Sequence, residues 1–199
     1  AALAHVKREQ FVPPACSGMA FMDMEIPLYG APEDIERTGL CMLAPKIEAR
    51  ILQELAIRAS DTVLEIGTGS GFMAALLAAK AEFVYSVEIE PELVERARQN
   101  LQRAGAANVS VDLGDAAQGW SLYAPYDVIV LSGSLPVLPE SILRDLKIGG
   151  RLMAIVGNAP VMQLQHVTRT GEHDFSTVIL FETQIAPLDN ATRRNRFVF

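Results

Sequence analysis

Three glycines at alternating positions, Gly67, Gly69 and Gly71, follow directly after the apolar run 63–66. A tight turn from a strand into a helix needs residues without a Cβ atom, because the backbone takes positive φ there and a ligand can approach the main chain closely. Residues 71–80 are rich in Ala and Leu, which favour a helix. The order of strand, glycines and helix therefore predicts a cofactor-binding loop.

The spacing of these glycines argues against a dinucleotide cofactor. A dinucleotide fingerprint reads G-x-G-x-x-G, and its third glycine would fall at Phe72. S-adenosylmethionine has no phosphate to place at the helix N-terminus and needs only room for its amino-acid part beside the turn. The pattern thus favours S-adenosylmethionine, and Glu65 is placed to hold its ammonium group indirectly, through another residue or water.

Acidic and hydroxyl side chains follow the next strands. Glu88 ends the strand after the turn, about twenty residues on, where Rossmann folds place the acid that accepts hydrogen bonds from a ribose diol. Asp115 comes just past the third strand and could accept from an adenine amino group. Ser132 and Ser134 follow the fourth strand. Since carboxyl ends of parallel strands share one sheet edge, these residues are expected to meet there.

The elements that must position these residues alternate between short β-branched runs and helical stretches from residue 61 onward, a pattern typical of a parallel sheet with crossover helices. Strands are predicted at 62–66, 83–88, 109–113, 126–131, 151–156, 163–168 and 177–185. Crossover helices are predicted at 71–80, 91–104 and 139–146. The pattern therefore predicts the α/β fold class, with a mostly parallel sheet.

The segment before residue 61 differs in composition. Residues 45–58 form an amphipathic helix pattern, whereas residues 11–41 are rich in Pro, Gly and Met. Within that stretch, the acidic piece 31–40 is expected to be an exposed loop or a short helix. We expect one methyltransferase domain over 1–199, with a cap at 1–44 and a Rossmann-like core at 45–199.

Composition narrows the class of protein. The 199 residues carry a formal charge of −7, which argues against nucleic acid or an anionic membrane as partner. The most apolar stretch is interrupted by Lys80 and Glu82 and is too short to span a bilayer. Cys16 and Cys41 are expected to be reduced thiols of a cytoplasmic protein, and no Cys or His spacing indicates a metal site.

Several of these motifs together resemble the protein-L-isoaspartate O-methyltransferase family. The matching stretches are VLEIGTGSGFMAALLA, VYSVEIEPELVERARQNL, GDAAQGW, APYDVIVLSG and LKIGGRLMAIVG. Upstream, VKREQFVP from Val6 to Pro13 resembles the family's PRE-x-FVP stretch. The resemblance spans most of the chain and implies methyl transfer from S-adenosylmethionine to the α-carboxylate of L-isoaspartyl residues, which starts the repair of damaged proteins.

The resemblance also implies a Rossmann-like methyltransferase fold, with a mostly parallel seven-stranded sheet, helices on both faces and a final antiparallel pair. Carried over by position, it implies cofactor roles for Glu65, Gly67, Gly69, Gly71, Glu88 and Asp115. With their neighbours, the residues predicted to contact the cofactor are Glu65, Ile66, Gly67, Thr68, Gly69, Ser70, Gly71, Glu88, Ile89, Gly114, Asp115, Ala116 and Ser132.

The chain departs from the family at the catalytic segment. The family usually reads Thr-Ile-Ser-x-Pro-His, and the matching residues here run from Cys41 to Lys46, with Leu43 at the serine position and Lys46 at the histidine position. Leucine cannot donate a hydrogen bond to a substrate carboxylate. One hypothesis is that Lys46 partly replaces that contact by its charge; the alternative is an exposed helix lysine.

The sequence leaves three functions open. The first is methylation of isoaspartyl residues in damaged proteins. The second is methylation of another acceptor, such as a small apolar molecule, which Leu43 favours. The third is a cofactor-binding protein that has lost catalysis, because function depends on the site and not on the fold.

Overall fold

The computed structural model describes residues 5–191 of the chain. A short two-stranded sheet, β1 (Ile26–Pro27) and β2 (Cys41–Met42), precedes a seven-stranded sheet. The strands of the large sheet are β3 (Thr62–Ile66), β4 (Phe83–Glu88), β5 (Val109–Leu113), β6 (Tyr126–Leu135), β7 (Leu146–Asn158), β8 (Val161–Arg169) and β9 (Phe175–Thr183).

The strands of the large sheet lie in the order β5-β4-β3-β6-β7-β8-β9. Neighbours from β5 to β7 are parallel, whereas β8 pairs antiparallel with both β7 and β9. The predicted mostly parallel sheet with a final antiparallel pair is therefore confirmed. Because β3, β4, β5 and β6 run in the same direction, their carboxyl ends meet at one edge of the sheet.

The helices are α1 (Pro32–Thr38), α2 (Pro45–Leu55), α3 (Phe72–Ala78), α4 (Pro91–Ala104) and α5 (Glu140–Arg144), with 3-10 helices at Arg8–Gln10, Pro14–Met19 and Ser121–Tyr123. Proline stands in the first turn of α4, where its missing N–H has no intrahelical partner to lose, and Gly105 ends that helix with φ +72°. None of the helices described within residues 5–191 is both long and apolar enough to cross a bilayer.

Alternate residues of the central strands pack on opposite faces of the sheet. Val63 lies in a hydrophobic cluster with residues of α2, α3 and α4, whereas its neighbour Leu64 lies in a second cluster with Ile142 of α5. Both faces are thus covered by helices, as predicted. Strands buried on both faces read as continuous apolar runs, which is why β3 is so apolar.

Segment 31–40, for which a loop or a short helix was expected, forms α1. Pro32 occupies its first turn, the Asp34 carboxylate accepts a hydrogen bond of 3.3 Å from the Ala31 amide, and Gly39 ends the helix with φ +74°. Local capping chemistry therefore decides between the two alternatives in favour of the helix.

Some predicted boundaries are wrong. Strand β6 continues to Leu135 instead of ending at 131, because it pairs with β7 again after an irregularity. Beyond that irregularity, Ser134 lies opposite Ile155 and Leu135 lies opposite Val156. Strand β7 begins at Leu146 instead of 151. Helix α2 ends at Leu55, short of the predicted 58, because Ala56 takes the left-handed conformation at φ +44°.

Candidate active site

A cleft lies at the carboxyl ends of β3 to β6, the edge where open parallel sheets bind ligands. Three surfaces enclose it. The sheet wall consists of Ile66, Gly67, Gly69, Val87, Glu88, Ile89, Leu93, Gly114, Asp115, Ala116, Ala117, Ser132 and Gly133. The N-terminal wall consists of Leu28, Thr38, Gly39, Leu40, Cys41 and Leu43. The C-terminal roof consists of Ile185, Ala186, Pro187, Leu188 and Asp189.

Most of the predicted cofactor residues belong to the sheet wall. Four do not line this cleft: Glu65, Thr68 and Ser70 line a smaller cavity behind it, and Gly71 lines neither. The two cavities are adjacent, because both are lined by Cys41, Leu43, Gly67, Gly69 and Ser132. The structure therefore brings the glycine turn, Glu88 and the Leu43 segment together around one cleft.

The glycine turn has the backbone that the sequence predicts. Gly67 has φ +91° and Gly71 has φ +85°, a region that L side chains rarely adopt. Their surroundings add a second reason for glycine. A Cβ atom on Gly67 would approach Leu188 to 3.1 Å, and one on Gly71 would approach Leu101 to 3.2 Å. Gly67 thus keeps the cleft open beside the roof, while Gly71 lets α3 and α4 pack closely.

The Glu88 carboxylate connects the end of β4 to the glycine turn. Its Oε2 accepts a hydrogen bond of 2.8 Å from the Gly69 amide, and its Oε1 accepts from the amides of Ile89 and Glu90 at 2.9 and 3.1 Å. Burial raises the pKa of Glu88, and these three amides oppose that effect. The side chain is held in one orientation at the cleft, where a ribose diol would donate to it.

Glu65 lies deeper, fully buried at the end of β3. Its Oε2 accepts a hydrogen bond of 2.6 Å from Ser86, whose Oγ lies 2.6 Å from Thr68 Oγ1, and its Oε1 accepts one of 3.1 Å from Ser132. Burial is the main cause that raises its pKa to about 8. Ser132 lines the main cleft, so its hydroxyl connects the buried Glu65 carboxyl to the cleft. The predicted indirect contact of Glu65 with the ammonium group of the cofactor stays a prediction.

Asp115 lies on the exposed part of the sheet wall. Its Oδ1 accepts from the Ala117 amide at 3.0 Å, and its Oδ2 accepts from the Asn190 side chain at 2.9 Å. The adjacent Gly114 has no room for a side chain, because a Cβ atom would lie 2.5 Å from the Trp120 ring. The predicted adenine contact of Asp115 stays a prediction.

The two residues predicted for the catalytic segment lie in different places. Leu43 is buried and faces the cleft with an apolar side chain. Lys46 lies outside the residues that line it: its ammonium nitrogen is 3.3 Å from Asp23 Oδ2, and two thirds of its side chain is exposed. The structure therefore does not bring Lys46 to the cleft, and its charge is paired elsewhere.

The C-terminal roof was missed by the sequence analysis. Ser134 on β6 holds it: its amide donates to Ala186 at 2.9 Å, its carbonyl accepts from Leu188 at 2.9 Å, and its hydroxyl donates to the Ile185 carbonyl at 3.1 Å. Ser134 is thus a structural residue. The sequence predicts only a strand at 177–185 in this part of the chain. Nothing in its pattern indicates a contact with Ser134, some fifty residues upstream.

The charge of the cleft suits a cationic ligand. The described residues that line it include the acids Glu88, Asp115 and Asp189 and no lysine, arginine or histidine. A negative, partly enclosed cleft attracts positive charge. S-adenosylmethionine carries a sulfonium and an ammonium group, and the acid at the ribose position and the open glycine backbone suit its remaining parts. The residues present therefore fit this cofactor.

Comparisons with known proteins agree with this geometry. A family model described as protein-L-isoaspartate(D-aspartate) O-methyltransferase (PCMT) matches residues 1–192. A protein-L-isoaspartate O-methyltransferase 2 from Pelobacter propionicus is 40% identical over 192 residues, which are 96% of this chain and 82% of that protein. A protein-L-isoaspartate O-methyltransferase from Methanoculleus marisnigri is 43% identical over 157 residues, 79% of this chain and 68% of that protein.

A solved structure gives the same fold. It is a beta-aspartate methyltransferase (PCMT) from Plasmodium falciparum in complex with S-adenosyl-L-homocysteine, with a TM-score of 0.80 and 18% identity, covering 94% of this chain and 88% of that chain. The likeness extends over the sheet and the segments around it, and thereby supports the α/β methyltransferase fold.

We expect Glu88→Ala to weaken binding of S-adenosylmethionine at least tenfold. The substitution removes an acceptor for the ribose diol and also the hydrogen-bond acceptor of the Gly69 amide. A hydrogen bond to a charged group contributes about 1.5–3 kcal/mol. Isothermal titration calorimetry measures the change. Glu92→Ala, which removes an exposed acid of α4, is the matched control. An unchanged Kd in Glu88→Ala would contradict the assigned role.

Glu65 predicts a pH dependence of stability. Because its pKa is raised from 4.5 to about 8 in the folded state, the folded protein binds more protons than the unfolded chain between these values. The free energy of unfolding should therefore fall as pH rises through this window, by at most about 1.4 kcal/mol per pH unit from this group.

Denaturant unfolding of the cofactor-free protein from pH 5 to pH 8 measures this slope. Glu65→Gln should flatten it, while Glu92→Gln controls for the loss of a carboxylate. Equal slopes in the wild type and Glu65→Gln would show that the buried carboxyl does not retain a proton.

Proposed function

The chain belongs to the protein-L-isoaspartate O-methyltransferase family, and from that premise we propose that it transfers a methyl group from S-adenosylmethionine to the α-carboxylate of L-isoaspartyl residues in damaged proteins. The observation that carries the proposal is the cleft itself, in which the glycine turn and Glu88 face the segment of Leu43. This arrangement supports the proposal, because a cofactor bound at the glycine turn would lie beside an acceptor at the same sheet edge.

The sheet wall supplies the cofactor contacts. Glu88 would accept hydrogen bonds from the ribose, and Gly67 and Gly69 would present backbone to the amino-acid part. Ser132, which donates to the buried Glu65, would link that part to its carboxyl. Apolar Ile89 lies beside Glu88 for the flat face of the adenine. When bound, S-adenosylmethionine supplies a methyl carbon already activated by its sulfonium, so that a carboxylate ionised at neutral pH needs no general base.

The catalytic contribution of the chain is position and exclusion of water. Leu28, Leu40 and Leu43 give the N-terminal wall its apolar character. Leu188 covers the cleft from the C-terminal roof. Holding two reactants at near-attack distance lowers the activation barrier by several kcal/mol. A cleft poor in water also strengthens the electrostatic contacts within it. The reaction proposed here therefore requires alignment more than a titrating side chain.

A second candidate acceptor is a small, apolar molecule. The observation that favours it is the acceptor side of the cleft: Leu43 offers no hydroxyl, and the described lining residues include no cation to hold a carboxylate. A screen of peptides and metabolites with labelled cofactor separates the two candidates.

The location proposed for the protein is the cytoplasm. Cys16 and Cys41 are both free thiols in the described structure, which agrees with a reducing compartment. Localisation of the tagged full-length protein tests this point.

Labelled methyl transfer to an isoaspartyl peptide tests the proposed function. The matched aspartyl peptide, in which the chain continues through the α-carboxyl, is the control, and cofactor binding is confirmed in the same sample. We expect selective labelling of the isoaspartyl peptide, released as methanol by base as a methyl ester requires. Bound cofactor without labelling of this peptide would contradict the acceptor and favour the second candidate.

The residue at position 43 gives a further prediction. Leu43→Ser restores a hydroxyl that can donate to the substrate carboxylate, and a hydrogen bond to a charged group contributes about 1.5–3 kcal/mol. We expect kcat/KM for the isoaspartyl peptide to rise about tenfold. Stability should fall by about 2–5 kcal/mol, because a buried leucine is lost.

Leu43→Ala is the matched control, since it removes the same apolar group without adding a hydroxyl. If serine and alanine gave the same kcat/KM at equal folded fraction, the hydroxyl would have no role in binding the acceptor.

A further inference from the structure

A buried arginine outside the cleft contacts three parts of the site. Arg8, in the 3-10 helix Arg8–Gln10, is only 5% exposed. Its Nη1 forms an ion pair with Glu48 Oε2 on α2, and its Nη2 donates a hydrogen bond of 2.8 Å to the Leu43 carbonyl. Its guanidinium lies 4.8 Å from the centre of the Phe72 ring, at the start of α3 directly after the glycine turn.

These partners connect the two sides of the reaction. Leu43 belongs to the N-terminal wall, while Phe72 follows the glycine turn of the sheet wall. One planar group with several donors in fixed directions can hold both at a set separation, which a flexible lysine cannot do. The contacts of Arg8 therefore define where Leu43 lies relative to the cofactor turn.

Stability alone does not account for the charged pair. Desolvating two charges is unfavourable, and replacement of a buried ion pair by well-packed apolar residues is often neutral or stabilising. The hydrogen bond to the Leu43 carbonyl, in contrast, is a specific geometric constraint. It holds the peptide between Leu43 and Ala44, and with it the residue whose side chain lines both the main cleft and the smaller cavity of Glu65.

We propose that Arg8 is a positioning residue that sets the acceptor side of the cleft through the Leu43 carbonyl. Because Leu43 has no side-chain donor, its contribution to the acceptor depends on where its backbone and apolar surface lie. Displacement of this segment would move Leu43 away from the cleft and change the shape of its acceptor side. The kinetic consequence rests on the proposed function, whereas the position of the segment does not.

Three variants separate positioning from stability. Arg8→Met leaves Glu48 buried without its partner and should lower Tm. The double variant Arg8→Met/Glu48→Met removes both charges and should recover most of that loss, but it still lacks the donor to Leu43. Arg50→Met, which removes an exposed arginine paired with Glu54 on the same helix, is the matched control.

We expect KM for the isoaspartyl peptide to rise about tenfold in both the single and the double variant, with the Kd of S-adenosylmethionine within threefold of the wild type. A purely structural role predicts instead that KM recovers together with Tm in the double variant. That recovery would overturn the proposal.

The thiol of Cys41 provides a readout that needs no acceptor. Cys41 lies two residues before Leu43 and is partly buried in the N-terminal wall. Its alkylation by iodoacetamide, followed by mass spectrometry with buried Cys16 as internal reference, should become at least fivefold faster in both Arg8 variants. A wild-type rate in the double variant would refute positioning by Arg8, whereas a wild type that labels no isoaspartyl peptide would refute only the proposed function.

Discussion

The hydrogen bond from the Gly69 amide to the Glu88 carboxylate joins the two halves of the cofactor site. It connects a turn whose three positive-φ positions are all glycine to the last residue of the neighbouring strand. Parallel pairing of β3 with β4 brings these two points to the same edge of the sheet, with Ile66 opposite Val87. The sheet order is therefore the condition for the site, and the burial of β3 and β4 on both faces keeps that order fixed.

The cleft combines two surfaces of different character. The sheet wall carries the acids Glu88 and Asp115, glycine backbone and the Ser132 hydroxyl, which donates to the buried Glu65 behind it, whereas the N-terminal wall is mainly apolar. This difference between the two surfaces suits the reaction proposed for the chain. A cationic cofactor is favoured by acids and polar backbone, while transfer to an ionised carboxylate requires little more from the other side than shape and exclusion of water. Leu43 is compatible with that difference, although it offers the acceptor no side-chain hydrogen bond.

The sequence predicts the first three core strands to the residue, because each is a short apolar or β-branched run bounded by turn residues, and it predicts the glycine turn with Glu88 from spacing alone. It does not predict the roof, since Ser134 meets Ala186 and Leu188 through long-range backbone contacts that leave no periodic signal. The partners of Arg8 lie 35 and 40 residues away and are equally invisible in the pattern. The hypothesis that Lys46 contacts the substrate rests only on its position in the catalytic motif. Its ion pair with Asp23 depends on a loop that the motif does not specify.

The central claim is that the turn at Gly67–Gly69 and the Glu88 carboxylate together hold S-adenosylmethionine facing Leu43. A crystal structure of the protein with S-adenosylhomocysteine tests this claim most directly. We expect the ribose hydroxyls of S-adenosylhomocysteine to lie within hydrogen-bond distance of Glu88. We expect its sulfur to be directed toward the N-terminal wall at Leu43. A ligand whose ribose lies away from Glu88, or whose sulfur faces away from Leu43, would contradict it.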